Sequence, residues 1–109
     1  MNHANTQPFA DSEFLFDHNG LIDNFHDTVR PRLVDGLDAR YLTSIQGNTE
    51  SEYLFAALRQ LLAEDPDLPM ESALVELMQR IEQWSDGQRA LLTIVVSDGE
   101  RLYAIRHAL

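Results

Sequence analysis

The tripeptide His18-Asn19-Gly20 is the first place in this chain where residue types and spacing could do chemistry. An asparagine side-chain amide and the backbone N–H of the next glycine can both donate hydrogen bonds to one oxygen that gains negative charge in a transition state. Asn-Gly is also a strong signal for a tight β-turn, and the two roles are compatible. The tripeptide therefore predicts a turn and, as a functional hypothesis, an oxyanion hole formed by Asn19 and Gly20.

Two carboxylates stand at the start of a predicted helix, in the sequence Thr49-Glu50-Ser51-Glu52. Thr49 and Glu52 fit a capping box, and both glutamates suit the positive end of a helix dipole. The capping box accounts for Glu52, so Glu50 is the less explained of the two glutamates. Since a carboxylate at the mouth of a site can bind an ammonium group, Glu50 is the candidate for that contact.

The composition excludes several kinds of chemistry. Among the 109 residues there is no cysteine, so no disulfide, thiolate metal site or cysteine nucleophile can form within the chain. All eight basic residues are arginines, which excludes a phosphate-loop lysine and a Schiff-base lysine. The four histidines show no metal-ligand spacing. We therefore expect neither a metal nor a cofactor.

The charge of the chain restricts its partners. Eighteen acidic residues against eight basic ones give a net charge of -10, which disfavours nucleic acid and anionic membrane surfaces as partners. Residues 11–27 are locally acidic, because they contain no arginine and several carboxylates: Asp11, Glu13, Asp17, Asp23 and Asp27. The chain has neither a leader-like start nor a run of about 18 apolar residues, so we expect no membrane span and a cytoplasmic location.

The elements that must position these residues are predicted from apolar periodicity and from turn signals. The helix from 23 to 33 can be capped by Asp23 or Asn24 and is expected to end near Gly36. In chain order the predicted elements are a strand at 13–17, a helix at 23–33, a helical turn at 38–45, a helix from 50 to about 64, a helix at 74–84, and a hairpin with strands at 90–96 and from 102.

The uncharged run at 90–96 is typical of a central strand that is covered on both faces. The predicted strands are too few to complete its sheet, so we expect an α+β layered domain whose neighbouring strands are missing. An unpaired apolar strand edge tends to recruit another chain. The pattern therefore predicts self-association.

Four segments, taken in order, form a combined pattern. They are Asn-Thr-Gln-Pro-Phe at 5–9, Phe-Asp-His-Asn-Gly at 16–20, Gly-Asn-Thr-Glu-Ser-Glu at 47–52 and Val-Ser-Asp-Gly-Glu-Arg-Leu-Tyr-Ala at 96–104. Together they resemble the class II glutamine amidotransferases. The chain is most similar to the small stand-alone branch that includes the ergothioneine-biosynthesis amidohydrolase. The resemblance implies part of the αββα sandwich of the N-terminal nucleophile hydrolases, with residues 1–109 as the central part of a single domain.

The resemblance also implies a mechanism. In that family an N-terminal cysteine attacks the side-chain amide of glutamine or of a γ-glutamyl compound, and its own α-amine is the general base. By position, the oxyanion contacts fall to the Asn19 side chain and the Gly20 N–H. Glu50 stands where the family usually has an aspartate that binds the substrate's α-ammonium group. Its extra methylene displaces the charge by roughly one bond length and weakens the expected fit to the usual substrate. Glu52 is expected to be structural.

By the same resemblance, the family's cysteine and a carboxylate-binding arginine should precede Asn5, and its closing strands should follow the hairpin. We therefore expect a fragment that carries the oxyanion hole and the ammonium site and is inactive alone. Its ligand in the full-length parent would be glutamine or a γ-glutamyl small molecule. Two alternatives stay open, namely a non-catalytic interaction protein on the same scaffold and an unrelated α+β interaction domain.

Overall fold

The computed structural model describes residues 9–10, 15–43, 45, 49–85 and 87–108, which contain four strands and four helices. The predicted features at 5–8, 11–14 and 46–48 lie outside the described residues. The mixed helix and strand composition confirms the predicted combination of α and β elements. In chain order the elements are β1 Phe9–Ala10, β2 Leu15–Ile22, α1 Val29–Asp35, α2 Ala39–Leu42, α3 Glu50–Glu64, α4 Met70–Ser85, β3 Ala90–Ser97 and β4 Leu102–Ala108.

The strands form one antiparallel sheet in the order β1-β2-β3-β4. β3 is central, with β2 along one edge from Leu15↔Ser97 to Ile22↔Ala90, and β4 along the other. The predicted hairpin at 90–104 is confirmed. The prediction that the strand at 90–96 has an unpaired edge is wrong, because β2 and β4 pair with it on both sides.

One face of this sheet packs on the helices and the other is open. Side chains of a strand alternate between the two faces, and in β3 the residues Leu92, Ile94 and Val96 are fully buried under the helices. On the opposite face Leu91 is 49% exposed and its partner in β2, Leu21, is 70% exposed. The prediction that β3 is buried on both faces is therefore wrong, because the helices cover only one of them.

We propose that this open face causes the 109-residue chain to self-associate. The reason is the exposed face of the sheet and not an unpaired strand edge. Exposed apolar surface favours association, and the open face carries Leu21 beside Leu91 at one end of the strands and Leu15 and Leu102 at the other. The double substitution Leu21→Thr with Leu91→Thr is expected to reduce the associated fraction in sedimentation experiments. Val75→Thr, which changes an equally exposed residue of α4, is the matched control. A wild-type chain that sediments as a monomer would contradict the proposal.

Helices α3 and α4 pack against each other and form most of the core. Their apolar residues recur at helical spacing and are buried in a single cluster: Leu54, Leu58, Leu61, Leu74, Leu77 and Ile81. The predicted capping box is confirmed, since the Thr49 side chain accepts the Glu52 N–H and the Glu52 side chain accepts the Thr49 N–H. The first turn of α3 is therefore held in place locally.

The region between β2 and α3 differs from the prediction at its start. Residues 23–28 form turns, and α1 begins only at Val29. Asn24 has a positive φ of 56°, which a right-handed helix does not allow. Pro31 lies in the first turn of α1, where its missing N–H breaks no helical hydrogen bond. Gly36 ends α1 as predicted, and α2 confirms the short helical turn.

Candidate functional site

Asn19 and Gly20 lie inside β2, two residues before its end. The predicted turn at this position is wrong, because Asn19 pairs with Thr93 and Gly20 pairs with Leu92 without interruption of the ladder. His18 and Ile22 face the helices and are buried, so alternation places the exposed Asn19 side chain on the open face. The strand thus presents a side-chain amide to the outside of the folded chain.

Gly20 adopts a conformation that side chains rarely reach. Its φ is +125°, and a Cβ at this position would lie 1.8 Å from the carbonyl oxygen of Leu91 and 2.8 Å from the Leu91 carbonyl carbon. A glycine inside a strand weakens the strand and often marks a place where a ligand or another backbone approaches closely. Here the backbone of β3 is that neighbour, so only glycine fits.

A buried polar pair joins β2 to α3 next to these residues. His18 Nδ1 and Ser51 Oγ are hydrogen-bonded at 2.7 Å, and the two residues are only 6% and 4% exposed. Burial lowers the pKa of the His18 imidazole below 6.5, because desolvation disfavours the charged ring more than the nearby Asp17 carboxylate favours it. Burial therefore favours the neutral form of the His18 ring.

Glu50 makes a second link between the same two elements. Its Oε1 accepts the backbone N–H of Ile22 at 3.0 Å, at the end of β2. Burial raises the pKa of the Glu50 carboxyl above its ordinary value of 4.5, and the Ile22 N–H opposes that shift by a smaller amount. One oxygen of the Glu50 carboxylate is thus hydrogen-bonded within the fold. The carboxylate lies at the C-terminal end of β2, just after Asn19 and Gly20.

These contacts place all three candidates for the predicted site on β2 or directly against it. Glu52 completes the capping box and is buried, which accords with the structural role expected for it. His18 and Ser51 were not singled out by sequence reasoning. For His18 the available signal was its position in the strand, because it falls in alternation with the apolar Phe16 and Ile22.

The described part of the chain offers no obvious metal centre. Within residues 9–10, 15–43, 45, 49–85 and 87–108, no three His, Asp or Glu side chains are arranged so that they could hold a metal ion. Among the helices described, none is both long and apolar enough to cross a membrane.

Comparisons with known proteins agree on a family. The sequence profile of the class II glutamine amidotransferases matches residues 1–108. The probable glutamine amidotransferase DUG3 of Saccharomyces cerevisiae is 26% identical over 126 residues, a match that covers 98% of this chain and 35% of the yeast protein. The solved glutamine aminotransferase class-II domain protein of Silicibacter pomeroyi is similar in structure, with a TM-score of 0.75, 31% identity, and coverage of 98% of this chain and 50% of that one. The chain thus spans half or less of either relative.

Proposed function

The chain belongs to the class II glutamine amidotransferases, and we propose that it forms part of an active site that hydrolyses the side-chain amide of glutamine or of a γ-glutamyl compound. In this proposal the Asn19 side chain and the Gly20 N–H stabilise the oxyanion, and Glu50 binds the α-ammonium group of the substrate. Residues 1–109 would then be the central part of one amidotransferase domain.

The observation that carries the proposal is the position of Asn19 and Gly20 in the middle of a strand. A hairpin turn would have explained this pair without any function, and β2 has no turn there. Asparagine and glycine are both disfavoured inside strands. The close approach of β3 accounts for the glycine but not for the exposed amide donor beside it, and binding of an oxyanion supplies a reason for that donor.

The hydrogen-bond pattern of β2 supports the Gly20 contact. The Ile22 N–H bonds to Glu50, whereas the next amide along the chain, that of Asp23, bonds on the other side to the carbonyl of Arg89, just before β3. In a regular antiparallel ladder, amides two residues apart leave the strand on the same side. We therefore expect the Gly20 N–H to point to the edge of β2 on which Glu50 lies, where a substrate carbonyl could accept from it while its ammonium group meets the carboxylate.

The nucleophile must come from outside this sequence, because the chain contains no cysteine. We propose that it is the N-terminal cysteine typical of the family. Its thiolate would attack the amide carbon and push the carbonyl electrons onto oxygen, where Asn19 and Gly20 would hold the negative charge. As this intermediate collapses, the C–N bond would break and the protonated α-amine of the cysteine would give its proton to the leaving nitrogen, which departs as ammonia. Water would then attack the thioester, which breaks the C–S bond, regenerates the thiol and leaves the free carboxylate.

The open sheet face agrees with the sandwich architecture of the N-terminal nucleophile hydrolases. In that arrangement a second sheet would pack on the exposed Leu21 and Leu91. The Asn19 side chain, on the same face, would then lie at the entrance between two sheets. Because the sequence motifs resemble those of the ergothioneine branch, we propose a γ-glutamyl sulfoxide as the substrate, hydrolysed without transfer of ammonia.

A hybrid enzyme tests the proposal directly. Residues 1–109 would replace the matching half of the Silicibacter pomeroyi protein, and ammonia release from glutamine and from γ-glutamyl amides would be measured beside the unaltered relative. We expect the hybrid to release ammonia from at least one γ-glutamyl compound. A folded but inactive hybrid, next to an active relative, would overturn the proposal.

Substitution of Glu50 is expected to separate binding from stability. Glu50→Gln keeps an oxygen that can accept the Ile22 N–H but removes the charge, so KM of the hybrid should rise roughly tenfold or more with little change in kcat. Glu50→Asp keeps the charge and should retain binding. Glu76→Gln, which alters an α4 carboxylate paired with Arg80, is the matched control and should leave KM unchanged.

Glu50→Gln is also expected to change the free energy of unfolding in a way that depends on pH. The folded chain holds the Glu50 proton more tightly than the unfolded chain, since burial raises the pKa. The stabilisation from the protonated carboxyl is present below pH 4.5 and is lost as pH rises through the higher folded pKa. Glu50→Gln should therefore melt at the same or a higher temperature than wild type at pH 7, with a smaller gap near pH 4.5. An unchanged KM together with a lower melting temperature would remove Glu50 from the site.

A further inference from the structure

The bond between His18 and Ser51 lies where apolar side chains would be expected. It connects a strand and a helix that are 33 residues apart in sequence, inside the core that β2 forms with α3. Beside it, the rings of Phe16 and Phe55 stack at 4.9 Å between the same two elements. Burial of polar groups costs free energy even when they are paired, and apolar residues of similar volume often pack at least as well. Packing alone therefore does not explain the pair.

The pair belongs to a second pattern. His18 and Ile22 of β2 bond to Ser51 and Glu50, which are consecutive residues in the first turn of α3. Asn19 and Gly20 lie between the two points of attachment. The first turn of α3 is itself held by its capping box. The segment with the oxyanion donors is thus fixed at both ends to the helical turn that carries the ammonium-binding carboxylate.

We propose that His18 and Ser51 are positioning residues that fix the separation between the oxyanion donors and Glu50. The inference rests on the proposed function, because it concerns how the two ends of one substrate are held. A γ-amide places two methylenes between its carbonyl carbon and the carbon that bears the ammonium group, and a β-amide places one. A rigid distance between the oxyanion donors and Glu50 selects the γ-amide over the shorter β-amide. The His18–Ser51 pair therefore acts as a determinant of substrate length.

The two attachments of β2 to α3, from His18 to Ser51 and from Ile22 to Glu50, form a clamp. Amide hydrogen exchange of the 109-residue chain tests this clamp and requires no enzymatic activity. In Ser51→Ala, the slowly exchanging amides between residues 17 and 22 should exchange about tenfold faster than in wild type, because one attachment of β2 is lost. The matched control is Ser85→Ala, since Ser85 is also a buried helical serine, and its hydroxyl donates to the Glu82 carbonyl within its own helix. Ser51→Thr retains a hydroxyl and should restore protection. Equal exchange of 17–22 in both alanine variants would overturn the clamp.

Kinetics of the hybrid test the positioning role. Ser51→Ala should lower kcat for glutamine about tenfold or more while KM changes less than threefold, because misplacement of the donors affects the transition state most. The preference for glutamine over asparagine should fall as well. A purely structural role would lower the melting temperature and leave both the kcat and the preference unchanged, and that result would overturn the proposal. An inactive wild-type hybrid would instead refute the proposed function, and hydrogen exchange would still decide the clamp.

Discussion

Replacing Asn19 with alanine in the hybrid enzyme is expected to lower kcat by roughly 10²–10³ with little change in KM. The physical reason is that the amide donor meets only a weakly charged carbonyl oxygen in the bound substrate and a full negative charge in the transition state. The contact therefore strengthens as the reaction proceeds. Because Asn19 is exposed on the open face, the substitution should not disturb the core. Ammonia release measured over a range of substrate concentrations gives both constants.

Two further variants sharpen the test of Asn19. Asn19→Asp keeps the size of the side chain but replaces the donor with a carboxylate, so it should impair kcat at least as strongly as alanine. Thr93→Ala changes the residue opposite Asn19 in the ladder and controls for local damage to the open face. A loss below about fivefold in both Asn19 variants would mean that this amide does not contact the oxyanion.

Gly20→Ala is expected to destabilise the chain by about 4 kcal/mol or more, which is a large share of the typical stability of a small domain. A positive φ alone costs a substituted residue about 1–3 kcal/mol. In addition, the new Cβ would overlap the Leu91 carbonyl oxygen at 1.8 Å and approach Leu92 Cα at 3.1 Å. Since both contacts are with backbone, relief requires β2 and β3 to separate. Urea denaturation of the 109-residue chain measures the difference.

Gly99→Ala separates strain from overlap. Gly99 also has a positive φ, of +94°, but no atom lies within 4 Å of the position of an added Cβ. This variant should lose only the about 1–3 kcal/mol that is due to the backbone conformation. If Gly20→Ala proves no more harmful than Gly99→Ala, then the close approach of β3 is not a constraint on Gly20.

The parts of the fold that were predicted correctly are those with local signals. The capping box at Thr49 and Glu52 and the helical spacing of apolar residues define α3 from adjacent positions alone. The same is true of the hairpin, because Asp98 Oδ1 accepts the N–H groups of Glu100 and Arg101 within one turn. Such features depend little on the rest of the chain.

The errors arose where distant residues decide the outcome. Asn19-Gly20 has a strong local preference for a turn. The segment is nevertheless a strand, because it pairs with β3, which lies more than seventy positions later in the sequence. The contact from Ile22 to Glu50 spans 28 residues, so no local pattern indicates it. For β3, an uncharged run does not distinguish a strand covered on both faces from one whose second face is apolar and open.

Because side chains alternate along β2, substitutions at neighbouring positions of this strand have different consequences. Phe16, His18 and Ile22 point to the helices, and changes there act on folding. Asn19 and Leu21 point the other way, where a change of side chain leaves the core intact. Residues one position apart can therefore evolve almost independently. A protein with this strand could change the side chains that meet a substrate's amide on one side of the sheet, while the contacts proposed to fix the length of the substrate, from His18 to Ser51 and from Ile22 to Glu50, remained in the helical layer on the other.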